Sequence, residues 1–143
     1  ITSPDPESKG GEKAMLNAIS DAKISLDDIK YINAHGTSTP MNDKIETNAI
    51  KNVFKEKSKD LYVTSTKSMT GHLLGAAGAI EAIATILSLN NNYIPPTINY
   101  KNLDLDCDLN YLPNKGISKN INYGLSNSFG FGGHNSVIIF KGA

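Results

Sequence analysis

The pattern that most constrains the fold occurs twice in the chain: a short β-type run ends at a histidine loop, and a helix-type run follows. In the first unit, residues 31–34 form the extended run, His35 lies in the loop, and apolar residues then recur at helical spacing up to Phe54. In the second unit, residues 61–65 form the strand and His72 lies in the loop after it. Strands that alternate with helices predict an α/β fold in which helices pack on a sheet.

The apolar run over residues 73–89 predicts the helix of the second unit. Apolar side chains occur on almost every side of this run, and the small residues at 75–79 let neighbouring backbones approach closely. We therefore expect one fully buried helix. Glu81 interrupts the run, which is too short for a convincing bilayer span, so no membrane partner is predicted.

The remaining patterns predict one more helix and a pair of strands. Apolar residues recur at helical spacing over 11–22, and strand-type runs cover 123–129 and 136–140. The segment 130–135 joins the two strands and is rich in glycine. It does not lead from a strand into a helix, so it lacks the geometry of a phosphate-binding loop.

Length and charge limit the classes of protein that fit. The 143 residues suffice for one core but not for two independent domains. Fourteen basic residues balance fourteen acidic ones, so no net charge favours nucleic acid or an anionic membrane as a partner. The single cysteine, Cys107, excludes an internal disulfide framework, and its carboxylate neighbours predict a raised thiol pKa.

The two histidines occupy equivalent positions, which favours a chemical role over a structural one. His35 precedes a small, hydroxyl-rich turn, and Lys67 lies five residues before His72. Together these three side chains predict a cationic, donor-rich pocket suited to an oxyanion or an enolate. Glu81 is the natural partner of Lys67, because an unpaired carboxylate is costly in an apolar helix. No acidic residue or cysteine has a ligand-like spacing to the histidines, so no catalytic metal is expected.

Five motifs carry a resemblance that spans nearly the whole chain: residues 33–40 (NAHGTSTP), 43–46 (DKIE), 65–78 (STKSMTGHLLGAAG), 95–99 (PPTIN) and 127–133 (NSFGFGG). They resemble the elongating β-ketoacyl-acyl-carrier-protein synthases of fatty-acid synthesis. The resemblance implies a thiolase-like fold with a mixed sheet packed by helices. It also implies that residues 1–143 are the C-terminal half of a subunit whose N-terminal half, with the nucleophilic cysteine, is absent.

The resemblance implies an acyltransferase activity, the decarboxylative condensation of malonyl-acyl carrier protein with an acyl-enzyme thioester. His35 and His72 match the two histidines that promote decarboxylation and stabilise the enolate. Lys67 matches the lysine that helps to set the charge of the site, and Glu81 matches its buried partner. Without the cysteine, we expect the isolated segment to be inactive and to expose apolar surface.

Other site residues follow from the same resemblance. Phe131 matches the phenylalanine that gates the acyl pocket, and its backbone amide would complete the oxyanion hole. Thr37 and Thr39 match the threonines that hydrogen-bond the phosphopantetheine arm. Five residues resemble positions around a monovalent cation in some members: Asn33, Ala34, Glu81, Ser126 and Asn127.

The implied partners are acyl carrier protein and a second copy of the full-length subunit, and no resident cofactor is implied because phosphopantetheine arrives on the carrier. Two alternatives stay open, a non-catalytic thiolase-like binding segment and a polyketide ketosynthase. The polyketide pattern usually has glycine in place of Ser38. His134 and the abundance of lysine and asparagine favour a plastid-like organelle, with a bacterial cytoplasm as the alternative.

Overall fold

A computed structural model describes residues 5–143 of the protein and contains a four-stranded sheet with helices on both faces. The helices are α1 (Lys9–Ala22), α2 (Pro40–Phe54), α3 (Lys67–Thr70) and α4 (Ala77–Asn90). The strands are β1 (Ile29–Asn33), β2 (Tyr62–Thr64), β3 (Tyr93–Ile94), β4 (Ile117–Ser118), β5 (Tyr123–Phe129) and β6 (Asn135–Lys141). Short 3-10 turns cover Leu26–Asp28, Lys55–Asp60, Leu74–Ala76 and Phe131–Gly133. The predicted α/β class is confirmed.

The main sheet is mixed, with strand order β2-β1-β5-β6. Strand β1 runs parallel to both of its neighbours, and β5 and β6 form the predicted antiparallel pair. Asn33, at the end of β1, pairs with Thr64 on one side and Ser126 on the other. The carboxyl ends of three parallel strands therefore meet at one edge of the sheet, and the histidine loops begin there.

One face of the sheet is covered by α1 and α2, the two amphipathic helices that the apolar spacing predicts. Met15 and Ile19 of α1 and Ile50 and Phe54 of α2 join Ile32 of β1 in a buried cluster. Because side chains alternate along a strand, the neighbours of Ile32 on either side point to the opposite face. Apolar burial thus fixes the register of β1, and with it the sheet edge from which His35 projects.

Helix α4 covers the other face, and its orientation differs from the expectation. The prediction of one fully buried helix over residues 73–89 is wrong for this chain: the run begins with a 3-10 turn, and α4 buries Glu81, Thr85 and Ser88 against the sheet. Leu74 is 78% exposed and Ile83 is 53% exposed. Hydropathy along the run cannot tell which side of a helix meets the sheet, and here the polar side does.

The exposed side of α4 borders an apolar groove. Its lining includes Ile80, Ala84 and Leu87 of the helix together with Met69 and Tyr93. An exposed apolar surface is what the sequence predicts for this segment without a covering partner. None of the described helices combines the length and apolar content that crossing a bilayer requires.

Candidate active site

The His35 loop begins where β1 ends and is held by a buried carboxylate. Glu46 of α2 accepts the backbone N–H of His35 at 2.8 Å and that of Gly36 at 2.9 Å. The same carboxylate accepts the side-chain amides of Asn127 at 3.0 Å and Asn42 at 3.4 Å. Burial raises the pKa of Glu46, and the hydrogen bonds from Gly36, Asn127 and His35 oppose the rise.

Glu46 is a site residue to which the sequence analysis assigns no role. It belongs to the DKIE motif, but one glutamate in an amphipathic helix is typical of a solvated face. The structure instead buries it, at the junction between α2, the His35 loop and the end of β5. The signal in the sequence is the helical spacing of Glu46 with Asn42 and Ile50, residues that are buried on the same side of α2.

Gly36 shows why the residue after His35 has no side chain. Its φ is +41°, and a Cβ at this position would lie 2.5 Å from Cβ of Ser65. The Ser65 hydroxyl donates to the carbonyl oxygen of Gly36 at 2.8 Å. Close approach of the two loops therefore requires glycine here, and it ties the His35 loop to the end of β2.

His72 is held in a different way. Helix α3 ends at Thr70, Gly71 caps it with φ +71°, and His72 follows in an exposed position. The backbone N–H of Leu74 donates to Nδ1 of His72 at 3.1 Å. In the neutral ring this hydrogen bond assigns the proton to Nε2, so the outer nitrogen of His72 is a donor.

The structure brings the two predicted histidines together. Their ring centroids are 5.5 Å apart, with the rings nearly perpendicular. The ring of Phe129, to which the sequence analysis gives no role, lies 5.9 Å from that of His35. Burial, followed by the positive charges of Lys67 and His72, lowers the pKa of His35 to about 4. His35 is therefore a neutral imidazole at physiological pH.

Lys67 and Glu81 form the predicted ion pair. The Lys67 ammonium donates to Oε1 of Glu81, and only 8% and 2% of the two residues are exposed. Burial raises the pKa of Glu81, while the hydrogen bond and the charge of Lys67 oppose the rise. A buried pair of this kind is costly to break because either partner alone is an uncompensated charge.

The predicted substrate-binding residues form no hydrogen bond with the histidine pair or with the Lys67–Glu81 pair among the described residues. The hydroxyls of Thr37 and Thr39 lie 3.0 Å apart, and Thr39 also caps α2 by accepting the N–H of Asn42 at 3.4 Å. Phe131 lies in the turn between β5 and β6 and is 73% exposed. A cleft of about 680 Å³ includes Thr37, Thr39, Lys67 and His72 in its lining.

Cys107 also lies in the lining of this cleft. Burial is the main cause that raises its thiol pKa, and the carboxylates of Asp104 and Asp43 add to the rise. The direction agrees with the sequence prediction, although burial outweighs the carboxylates. A thiol with a raised pKa is a poor nucleophile at neutral pH, so Cys107 has the properties of a packing residue.

Comparison with known proteins decides the family. Residues 1–101 match the family described as beta-ketoacyl synthase, C-terminal domain. The chain belongs to this family. Its fold is that of the C-terminal part of a thiolase-like ketosynthase, as the motifs predict.

Two sequence relatives of this ketosynthase segment are bacterial enzymes. The 3-oxoacyl-(acyl-carrier-protein) synthase 2 of Staphylococcus aureus is 55% identical over 141 residues, which are 99% of this chain and 35% of the relative. The protein of the same name from Synechocystis sp. is 48% identical, over 99% of this chain and 34% of the relative. The chain thus spans about a third of the length of the curated relatives it matches.

Solved ketosynthases superpose closely on the segment. One is a ketosynthase in complex with its type II polyketide-synthase acyl-carrier protein and bound to the hexaketide: the TM-score is 0.97 at 43% identity, over 100% of this chain and 35% of that chain. A beta-ketoacyl synthase from Burkholderia phymatum has a TM-score of 0.90 at 37% identity, over 96% of this chain and 33% of that chain.

The monovalent cation that the resemblance implies fits the ketosynthase segment only in part. Oε2 of Glu81 and Oδ1 of Asn127 are buried and have no hydrogen-bond partner among the described residues, and oxygens are the ligands that alkali cations take. The side-chain oxygen of Asn33, however, already accepts two donors from Thr66. No three His, Cys, Asp or Glu side chains in the described part of the chain form a metal cluster. The cation stays a prediction.

Proposed function

We propose that this chain is the histidine-bearing part of a 3-oxoacyl-(acyl-carrier-protein) synthase, which extends a fatty-acyl chain with malonyl-acyl carrier protein. The observation that carries the proposal is the paired rings of His35 and His72 beside the buried Lys67–Glu81 pair. The 55% identity to a synthase of this name supports the choice of fatty-acid over polyketide synthesis. Catalytically silent partner subunits are disfavoured because they usually lack these histidines.

The reaction begins with decarboxylation of the malonyl thioester. The bond between the methylene carbon and the carboxylate breaks, carbon dioxide leaves, and the electron pair moves onto the thioester as an enolate. The enolate oxygen needs hydrogen-bond donors that are already oriented, since reorienting them would raise the barrier. His72 meets this need because its Nδ1 accepts the Leu74 N–H, which leaves the Nε2 proton for the substrate.

The second donor is His35, whose low pKa keeps its ring neutral. A neutral imidazole adds no charge to a site that already contains the Lys67 ammonium, and it can both donate and accept a proton. The enolate carbon then attacks the acyl thioester carbonyl, and the thiolate of the nucleophilic cysteine leaves. That cysteine belongs to a part of the enzyme outside this chain, because Cys107 has a raised pKa.

The substrate arrives on acyl carrier protein, whose phosphopantetheine arm is bound by Thr37 and Thr39. Support for this partner comes from a related ketosynthase that was solved with its carrier protein. The proposal requires no resident cofactor, since the arm is part of the substrate. Phe131 lies in an exposed turn with Gly132 and Gly133 at positive φ, which suits a gate. We further propose a homodimer as the full-length form and, because the relatives are bacterial, a bacterial cytoplasm ahead of a plastid.

The histidines provide the test. In the complete protein that carries this chain, H35A and H72A should each lower malonyl decarboxylation by about 10²-fold to 10⁴-fold. The control is H134A, which removes the third histidine of the chain from an exposed turn and should retain wild-type activity. Carbon dioxide release from malonyl-acyl carrier protein measures all three. Wild-type decarboxylation in the H35A/H72A double variant would show that the catalytic assignment is wrong.

A further inference from the structure

Helix α4 contacts the sheet through a buried layer of polar side chains. Glu81, Thr85 and Ser88 lie on its inner side, and Tyr31 and Asn33 of β1 face them from the sheet. Hydrogen bonds in a buried layer are directional and costly to leave unmade, so they set the position of a helix more narrowly than apolar contacts do. Asn33 is fully buried in this layer and is not part of the chemistry proposed above.

Both the nitrogen and the oxygen of the Asn33 side-chain amide form hydrogen bonds. Its Nδ2 donates to the backbone carbonyl of Glu81 at 3.2 Å and to the hydroxyl of Thr85 at 3.3 Å. Its Oδ1 accepts the hydroxyl of Thr66 at 3.3 Å and the backbone N–H of Thr66 at 3.5 Å. Thr66 directly precedes Lys67, so one amide contacts the segments that carry both members of the ion pair.

We infer that Asn33 is a positioning residue for the Lys67–Glu81 pair: its amide joins the turn that carries the lysine to the helical turn that carries the glutamate. The pair is 14 residues apart in sequence. Only tertiary contacts therefore fix the distance between its backbones. The inference rests on the proposed function insofar as the pair serves condensation, but the geometry itself does not depend on that function.

The position of the Lys67 ammonium matters because it is the cationic group of the proposed site, and Lys67 and His72 line the same cleft. The ammonium itself is bound by the carboxylate of Glu81. If the amide of Asn33 is removed, the turn that carries Lys67 and the helix that carries Glu81 lose their common contact. The ammonium then moves relative to His72.

A matched control exists on the same strand. Tyr31 lies two residues before Asn33 and faces the same polar layer, where its hydroxyl pairs with that of Thr64 at 3.2 Å. Y31F removes one buried hydrogen bond of the same strand, between β1 and β2, and keeps the contacts of Asn33 with Thr66 and Glu81. N33L replaces the amide with an apolar side chain of similar size and removes all four contacts. T66V is a milder variant that removes only the hydroxyl donor to Oδ1.

The experiment compares N33L, T66V and Y31F in the complete protein that carries this chain. The first readout is malonyl decarboxylation, for which we expect N33L to lower kcat by about tenfold with KM within about twofold of the wild type. The second readout is the environment of Lys67, followed at a single pH as the NMR chemical shift of its Cε carbon in protein labelled at the lysine Cε carbons and assigned with K67M. We expect N33L to shift this resonance, and Y31F to leave both readouts unchanged.

Each outcome decides between the claims. If the wild type does not decarboxylate malonyl-acyl carrier protein, the proposed function fails, and the Lys67 resonance alone judges the positioning role of Asn33. A loss of kcat in N33L with an unchanged Lys67 resonance overturns the inference, because a merely structural amide would lower activity without moving Lys67. Equal effects in N33L and Y31F overturn it as well. If N33L does not fold, T66V must shift the Lys67 resonance, and an unchanged resonance in T66V is the overturning result.

Discussion

The two histidine loops look alike in the sequence and are supported in opposite ways in the structure. His35 is 8% exposed, and the buried carboxylate of Glu46 holds its backbone. His72 is exposed, and its ring is held by one N–H from Leu74, which is itself exposed. The chain thus contains the support for the backbone of the first histidine, whereas Nδ1 of its ring has no hydrogen-bond partner among the described residues. The second lies beside an apolar surface that has no cover among the described residues, so its support depends on what packs there.

The largest expected effect is the loss of the Glu46 support. E46L leaves the N–H groups of His35 and Gly36 and the amide of Asn127 without their acceptor, so we expect a loss of about 3 kcal/mol or more in the free energy of unfolding. The control is D43N, one turn earlier on α2, because Asp43 accepts the N–H of Ser38 at 3.2 Å and does not bind the N–H groups of His35 and Gly36.

Urea unfolding of the complete protein measures both variants, and carbon dioxide release shows whether the His35 loop still functions. The comparison predicts that D43N costs less than E46L and retains more activity. Equal stability of the two variants would mean that Glu46 does not hold the first loop, and the contrast with the His72 loop would lose its basis.

The second prediction concerns whether another part of the complete protein packs on the apolar surface beside His72. Ile83 is exposed in this chain, but it lies on the apolar side of α4 that continues from the His72 loop. If the complete protein covers this side, I83K buries a charge there and should lower the free energy of unfolding by about 2–4 kcal/mol. L105K makes the same change in a loop outside α4 and should cost about 0.5 kcal/mol or less. A neutral I83K would show that the surface faces solvent in the complete protein.

Amphipathic patterns predicted most of the fold, and the failure at α4 has a physical cause. The predicted runs for β1 and the β5–β6 pair match the observed strands within two residues, and the helical spacing predicts the end of α2 at Phe54. Over residues 73–89 almost every side is apolar, so the pattern contains no information about which side meets the sheet. The pairing of Glu81 with Lys67 indicated the polar inner side, because a buried carboxylate must face its partner.

The candidate site was predictable where a residue is chemically conspicuous. His35, His72, Lys67 and Glu81 stand out because histidine loops and an isolated charge in an apolar run are unusual. Glu46 and Phe129 were missed because a glutamate in an amphipathic helix and a phenylalanine in a strand are ordinary. What separates them from ordinary residues is their position in space against His35, which depends on how α2 and β5 pack. No local pattern contains that packing.

The third prediction concerns which ring nitrogen of His72 donates a hydrogen bond to the substrate. The side-chain amide of glutamine reaches the position of Nε2 of histidine, whereas that of asparagine reaches the position of Nδ1. Because the Leu74 N–H occupies Nδ1, H72Q should retain about tenfold more malonyl decarboxylation than H72N. At position 35 the same pair of changes should give similarly low rates, since an amide cannot exchange a proton as the neutral ring of His35 can. Equal rates for H72Q and H72N would contradict the assignment of the Nε2 donor.

The smallest expected effect is the contribution of the buried His35 to the pH dependence of the free energy of unfolding. Its folded pKa of about 4 lies below the ordinary value of 6.5, so between these pH values the unfolded chain binds a proton that the folded chain does not. Stability therefore falls as the pH drops from 6.5 towards 4, and at pH 6 the contribution of His35 is about 1 kcal/mol relative to pH 8.

H35Q has no such group and should lose less stability over this range. Urea unfolding of the complete protein at pH 8, 6 and 5 measures the difference. Parallel curves for the wild type and H35Q would mean that His35 is solvated in the complete protein, and the two histidines would then be alike in burial as well as in sequence.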